Sequence, residues 1–202
     1  MLTDILILVC SMLYLTIGNY ISYHINDDFK IVDYIHILSD RYNGQSYFYI
    51  LLKDLGVTIP LAWLFLTDIN HGLTACKLYT VCSIFRPICY LSTSLPPPNT
   101  RFTKIITHPM QTLSGSKGDL IYSGHMTLVT SSLLVIEHFY NWSFLLWVYI
   151  LFIGFLTSFT RSHYTVDVVI SIIIVQLITS LLLNSNEHTF WNTLHQYVFI
   201  NN

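Results

Sequence analysis

The stretch WSFLLWVYILFIGFLTSFTRSHYTVDVVISIIIVQLITSLLL, residues 142–183, decides the fold class. It holds two apolar runs, 142–160 and 165–183, and the polar link between them carries Arg161, Ser162 and His163. Each run approaches the about 20 residues an α-helix needs to cross the hydrocarbon of a bilayer. A link this short makes the two helices antiparallel neighbours. The chain therefore re-enters the membrane on the side where it left.

Working outward, four more apolar stretches lie near 3–23, 47–67, 72–92 and 120–138. The expectation is an all-α fold: a polytopic membrane protein with six transmembrane helices, forming a single membrane domain over 1–202. Composition agrees, with 53% hydrophobic and 10% charged residues, against about 25% charged in a soluble domain. The many tyrosines suit membrane interfaces. No basic block points to nucleic acid. The N-terminal segment lacks a basic leader and a small-residue cleavage site, so it reads as a retained span. Cys10, Cys76, Cys82 and Cys89 lie in apolar segments without metal-site spacing and read as buried free thiols.

Two spans are imperfect. Lys53, Asp54, Gly56 and Pro60 interrupt the second and leave its start open, and the third carries Lys77 and Arg86. Two connections are long. In 24–46, Ile31, Tyr34, Ile35, Leu38 and Tyr42 recur at helical spacing, which predicts a helix lying in the interface. In 93–119, three consecutive prolines exclude helix.

The alternation of spans brings the 93–119 loop and the 160–164 link to one face. His125, His163 and Asp167 then enter the membrane from the same side. His163 and Asp167 are four apart, which on a helix is one turn on one face. A carboxylate there accepts the imidazole N–H, holds one tautomer and makes the other nitrogen a better nucleophile. His125, from another helix, suits a general acid or base. Helix-start N–H groups with Arg161, and Arg86 from the third span, favour a phosphate. Gly124 admits close approach of a ligand to the backbone. Singly, each has a plainer reading: an interface histidine, a carboxylate offsetting a helix dipole, an arginine bonded to a carbonyl. Together they read as a phosphate-handling site, since ionisable groups in spans are functional by default.

GDLIYSGHMTL (118–128) and HYTVDVV (163–169) resemble the paired motifs of sphingomyelin synthases and related sphingolipid synthases, within the wider PAP2-type (type 2 phosphatidic acid phosphatase) superfamily. The first family motif reads Cys-Gly-Asp, three residues, Ser-Gly-His-Thr. Gly118, Asp119, Ser123, Gly124 and His125 match it, while Lys117 and Met126 replace the Cys and Thr. The second, His-Tyr-Thr-x-Asp-Val, is matched by His163, Tyr164, Thr165, Asp167 and Val168. FRPICYLSTSLPPPN (85–99) is similar to a further family stretch, so the resemblance covers a catalytic core of about 70–183.

The resemblance implies an enzyme that moves a phosphocholine or phosphoethanolamine headgroup from a glycerophospholipid donor to a ceramide acceptor without metal or organic cofactor. His163 would be the nucleophile, Asp167 its partner and His125 the acid/base. Arg86, Asp119, Ser123, Gly124, Arg161 and Tyr164 would line the phosphate site. The phosphatase branch separates its Lys from Arg-Pro by six residues, whereas eight separate Lys77 from Arg86, and Thr157 occupies its third-motif arginine position. Both departures favour the synthase branch. A lipid phosphate phosphatase and an inactive lipid-binding scaffold are the alternatives. The family's site faces the lumen of the Golgi or ER or the cell exterior. The cluster of Lys30, Arg41, Lys53, Arg101, Lys104, Lys117 and Arg161 on that face would make it cytosolic by the positive-inside rule.

Overall fold

The computed structural model describes residues 33–86, 88–89 and 122–183, with Cys10, Leu13, Tyr14, Ile17, Val198 and Phe199. Most of the predicted first span and the 93–119 loop lie outside the described residues. Among the described residues there are six named helices and no strand: α1 (Tyr34–Arg41), α2 (Tyr47–Thr67), α3 (Ile69–Ser83), α4 (Gly124–Tyr140), α5 (Ser143–Phe159) and α6 (Thr165–Leu183). α4 is the hub and touches α2, α3, α5 and α6, while α1 packs on α5.

Two helices, α2 and α6, are long and apolar enough to cross a membrane, and α5 is a shorter apolar helix. The distribution of side chains adds to this. Leu66, Phe144, Leu145, Leu151, Ile173 and Leu177 are each more than half exposed, while Thr127, Thr130, Ser131, Thr157, Asp167 and Ser171 are fully buried. An apolar exterior around an interior of small polar residues is how helices pack in lipid. That pattern, with two helices of spanning length, supports a membrane setting. Six spans are not reached among the described residues, because α3 and α4 are short and carry Lys77 and Glu137.

The predicted break in the second span is absent: α2 runs unbroken through Pro60. Proline cannot donate the bond that residue 60 owes to the carbonyl of Gly56. The Tyr149 hydroxyl of α5 donates to that carbonyl instead, at 2.8 Å. Gly56 also has to be small, since a Cβ there would overlap Ile153. Lys53 is turned inward and only 5% exposed. The third span differs more. α3 starts at Ile69, capped by the Asp68 carboxylate accepting from Asn70 N–H at 2.8 Å, and ends at Ser83.

The helix expected in the long first connection is α1, but its apolar and polar faces are turned the other way. Tyr34, Leu38 and Tyr42 of its apolar face are exposed, while His36 and Ser39 are buried. Its polar face meets the protein because that is where it meets the 160–164 link. The cysteines are free; Cys82 is buried, but Cys10 is exposed, unlike the expectation.

Candidate active site

The link between α5 and α6 is built by a chain reversal. Thr160 N–H bonds back to Leu156, Arg161 N–H to Ser158 and Ser162 N–H to Thr157, and Arg161 takes a left-handed φ of 51°. Such closing bonds satisfy the last carbonyls of a helix. They also turn the chain so that His163 points back into the bundle, 6% exposed. His163 is thus not on a helix, contrary to the expectation, since α6 begins at Thr165. The structure still brings the two side chains together: Nδ1 lies 3.5 Å from Oδ2, close but without a hydrogen bond between them. The same Oδ2 accepts Tyr164 N–H at 2.9 Å, which holds the carboxylate back toward the link.

The second imidazole comes from the start of α4. Ser123 caps that helix, its hydroxyl accepting Met126 N–H at 3.3 Å. Ser123 N–H in turn donates to Ser171 Oγ at 2.7 Å, and Ser171 donates to the Asp167 carbonyl at 2.7 Å. Ser171 therefore ties the start of α4 to the first turn of α6. The rings of His125 and His163 stand edge to face with centroids 6.0 Å apart.

Two cations flank this pair. Arg86 follows α3, is 8% exposed and donates from Nε to the Tyr122 carbonyl at 3.3 Å. Its guanidinium occupies the space a side chain at residue 124 would need, since a Cβ on Gly124 would lie 2.9 Å from Nη1. Gly124 thus makes room for Arg86 where the sequence suggested room for a ligand. Lys53 of α2 donates to Ser162 Oγ at 2.9 Å, beside His163.

The remaining predicted residues are placed otherwise. Arg161 turns away from the histidines and donates to the Asp40 carboxylate and the His36 carbonyl of α1. Tyr164 is buried with its ring 4.9 Å from that of His36. Burial and the nearby carboxylates of Asp167 and Asp33 push its phenol above the ordinary value. Asp119 lies outside the described residues.

Several site residues went unnoticed in the sequence. His36 Nε2 lies 3.0 Å from the His163 carbonyl, so that nitrogen carries the proton and donates. Asp33 accepts from Thr165 N–H at 2.7 Å and from Thr165 Oγ1 at 3.0 Å, besides capping α1 through Ile35 N–H. Burial works to raise the Asp33 carboxyl, but the Thr165 bonds, the His36 charge and the Ile35 bond hold it below its ordinary 3.8. Asp33, His36 and Asp40 all grip 161–165, so α1 clasps the link that carries His163. A buried serine in an apolar run, four residues after Asp167, was the available signal for Ser171. No local signal ties α1 to the site, because its contacts there span more than a hundred residues of chain.

Two imidazoles brought together from the start of α4 and the α5–α6 link, one near a carboxylate and both near cations, are able to act as a nucleophile and an acid/base. Residues 117–185 match the family model described as PAP2 superfamily C-terminal. The match takes in both histidines and Asp167, over less than half of the chain. It supports the PAP2-type likeness, and is silent on donor and acceptor. No curated protein and no solved structure matches the chain.

Proposed function

We propose that this chain is an integral, multi-pass membrane phosphotransferase that moves a phosphocholine or phosphoethanolamine headgroup from a glycerophospholipid to ceramide. The observation that carries the reading is the meeting of His125 with the His163–Asp167 pair, inside the segment that is PAP2-like.

In this reading Nδ1 of His163, 3.5 Å from the Asp167 carboxylate, keeps the proton, and Nε2 carries the lone pair. Nε2 attacks the donor phosphorus, forming an N–P bond as the bond from phosphorus to the diacylglycerol oxygen breaks. Protonated His125 gives its proton to that oxygen. Neutral His125 then takes the proton of the ceramide hydroxyl, whose oxygen attacks phosphorus and breaks the N–P bond. The net exchange returns both histidines to their starting state. Lipid tails remain in the bilayer while the phosphate reacts at its edge.

The test is purified full-length protein in liposomes with fluorescent ceramide and, separately, phosphatidylcholine, phosphatidylethanolamine or phosphatidic acid. A fluorescent phosphosphingolipid that is absent with His163→Ala is the expected result, and the productive donor names the headgroup. Acid quench with phosphate-labelled donor leaves label on His163. Release of phosphate and diacylglycerol from phosphatidic acid, with no phosphosphingolipid formed, replaces this reading by a lipid phosphatase. The PAP2 likeness is compatible with that second reading too, in which the same pair delivers the group to water.

A further inference from the structure

Lys53 is the polar residue that the sequence treats as an intrusion in a span and that the mechanism so far leaves unused. It is only 5% exposed, on a helix long and apolar enough to cross a membrane. An ammonium so placed is costly unless it is paired and hydrogen-bonded. Its described partners are two: Ser162 Oγ at 2.9 Å and the carboxylate of its chain neighbour Asp54 at 2.9 Å. The Asp54 side chain is 51% exposed, so water screens that pair. The Ser162 contact draws the ammonium inward, to the residue that precedes His163. Lys53 is also close enough to His125 for its charge to act on that ring, as Arg86 does from α3.

Arg161, the cation expected to hold phosphate from the link, is committed to α1 through Asp40. In the phosphatase-type motif the lysine position ahead of Arg86 is Tyr79 here, and Lys77 is two residues off that position on α3. Lys53 stands at Ser162, next in the chain to His163, and Arg86 stands at Gly124, next to His125.

We infer that Lys53 binds the phosphate oxyanion of the substrate at the His125–His163 gap, with Ser162 holding its ammonium in place. The assignment deepens the phosphoryl-transfer reading and rests on it for the identity of the bound group. A phosphate oxygen entering the gap takes an N–H from Lys53 in place of the half-exposed Asp54 carboxylate. A point charge on a flexible stem suits this task, because it can follow the oxygen as geometry at phosphorus changes.

The experiment measures binding of inorganic phosphate and of a short-chain phosphatidylcholine to full-length protein in uncharged detergent. The proteins are wild type, Lys53→Met, Lys53→Arg, Ser162→Ala and His163→Ala, with folding checked by thermal melting. Loss of a charge-assisted bond predicts that Lys53→Met weakens binding by about ten- to a hundredfold. Lys53→Arg recovers the larger part, and His163→Ala still binds because the cations remain. Ser162→Ala keeps the charge and loses only its tether, so a smaller loss is expected; it serves where Lys53→Met fails to fold. Binding of both probes supports a lipid headgroup at Lys53, and binding of inorganic phosphate alone supports the free ion. Wild-type affinity in folded Lys53→Met, or no binding of either probe by wild type, overturns the assignment. Phosphate bound through Lys53 without transfer to ceramide or water overturns the enzyme reading and leaves Lys53 standing. Transfer that survives Lys53→Met unchanged does the reverse.

Discussion

Tyr149→Phe strands the carbonyl of Gly56, because Pro60 has no N–H to offer it. The hydroxyl bond lost is short, at 2.8 Å, and Gly56 is buried. A buried polar group left without a partner costs about 1–3 kcal/mol. Hydrogen bonds between helices in lipid average about 0.6 kcal/mol with a maximum near about 1.7, because the unfolded state in the membrane finds partners too. Tyr149 is itself only half-buried, which places the expected cost at about 1 kcal/mol. Proline at 60 makes the argument testable in isolation. Pro60→Ala restores the N–H, and the carbonyl is then satisfied within α2 whatever stands at 149. In the Pro60→Ala background Tyr149→Phe should therefore cost less than about 0.5 kcal/mol, an interaction energy within the range for residues sharing a partner. The assay is reversible unfolding of all four proteins in mixed micelles of rising denaturing detergent. Equal costs of Tyr149→Phe in both backgrounds would refute the reasoning, and so would no cost in the proline background.

Ser171→Ala removes the link between the start of α4 and the Asp167 carbonyl; it should lower stability by about 1 kcal/mol and lower kcat more than KM, read from unfolding and liposome transfer kinetics. Gly124→Ala should leave the melting temperature close to wild type, since the obstructing atoms end a flexible side chain, yet reduce phosphate affinity as Arg86 is displaced; unchanged affinity would remove Arg86 from the site. Asp33 is held below its ordinary pKa of 3.8 in the folded chain, so its contribution is full above that value and fades as pH falls through the folded pKa. Melting temperature followed down through the carboxylate range should drop less steeply in Asp33→Asn than in wild type, and the variant should be the less stable at neutral pH. Arg161→Met should break the hold of α1 through Asp40 and slow transfer while inorganic phosphate still binds; lost phosphate binding would return Arg161 to the phosphate site.

Much of this protein follows from its sequence alone. Apolar runs of spanning length and a low charge content determine a fold that is helical throughout its described residues, and α2, α5 and α6 lie within a residue or so of the runs that predict them. Local spacing also determines the His163–Asp167 pair. The pair survives although its histidine precedes the helix, because the Tyr164 N–H holds the carboxylate toward it. Tertiary structure decides the rest, because the groups involved meet only across helices. Periodicity cannot show that Pro60 is tolerated, since the compensating hydroxyl sits on α5. Nor can it show that Gly124 yields its space to Arg86, that Arg161 is drawn off by α1, or that Lys53 reaches Ser162. A charged residue in an apolar run reads as an interruption until the fold supplies its partner, and here the partner lies beside a histidine more than a hundred residues away.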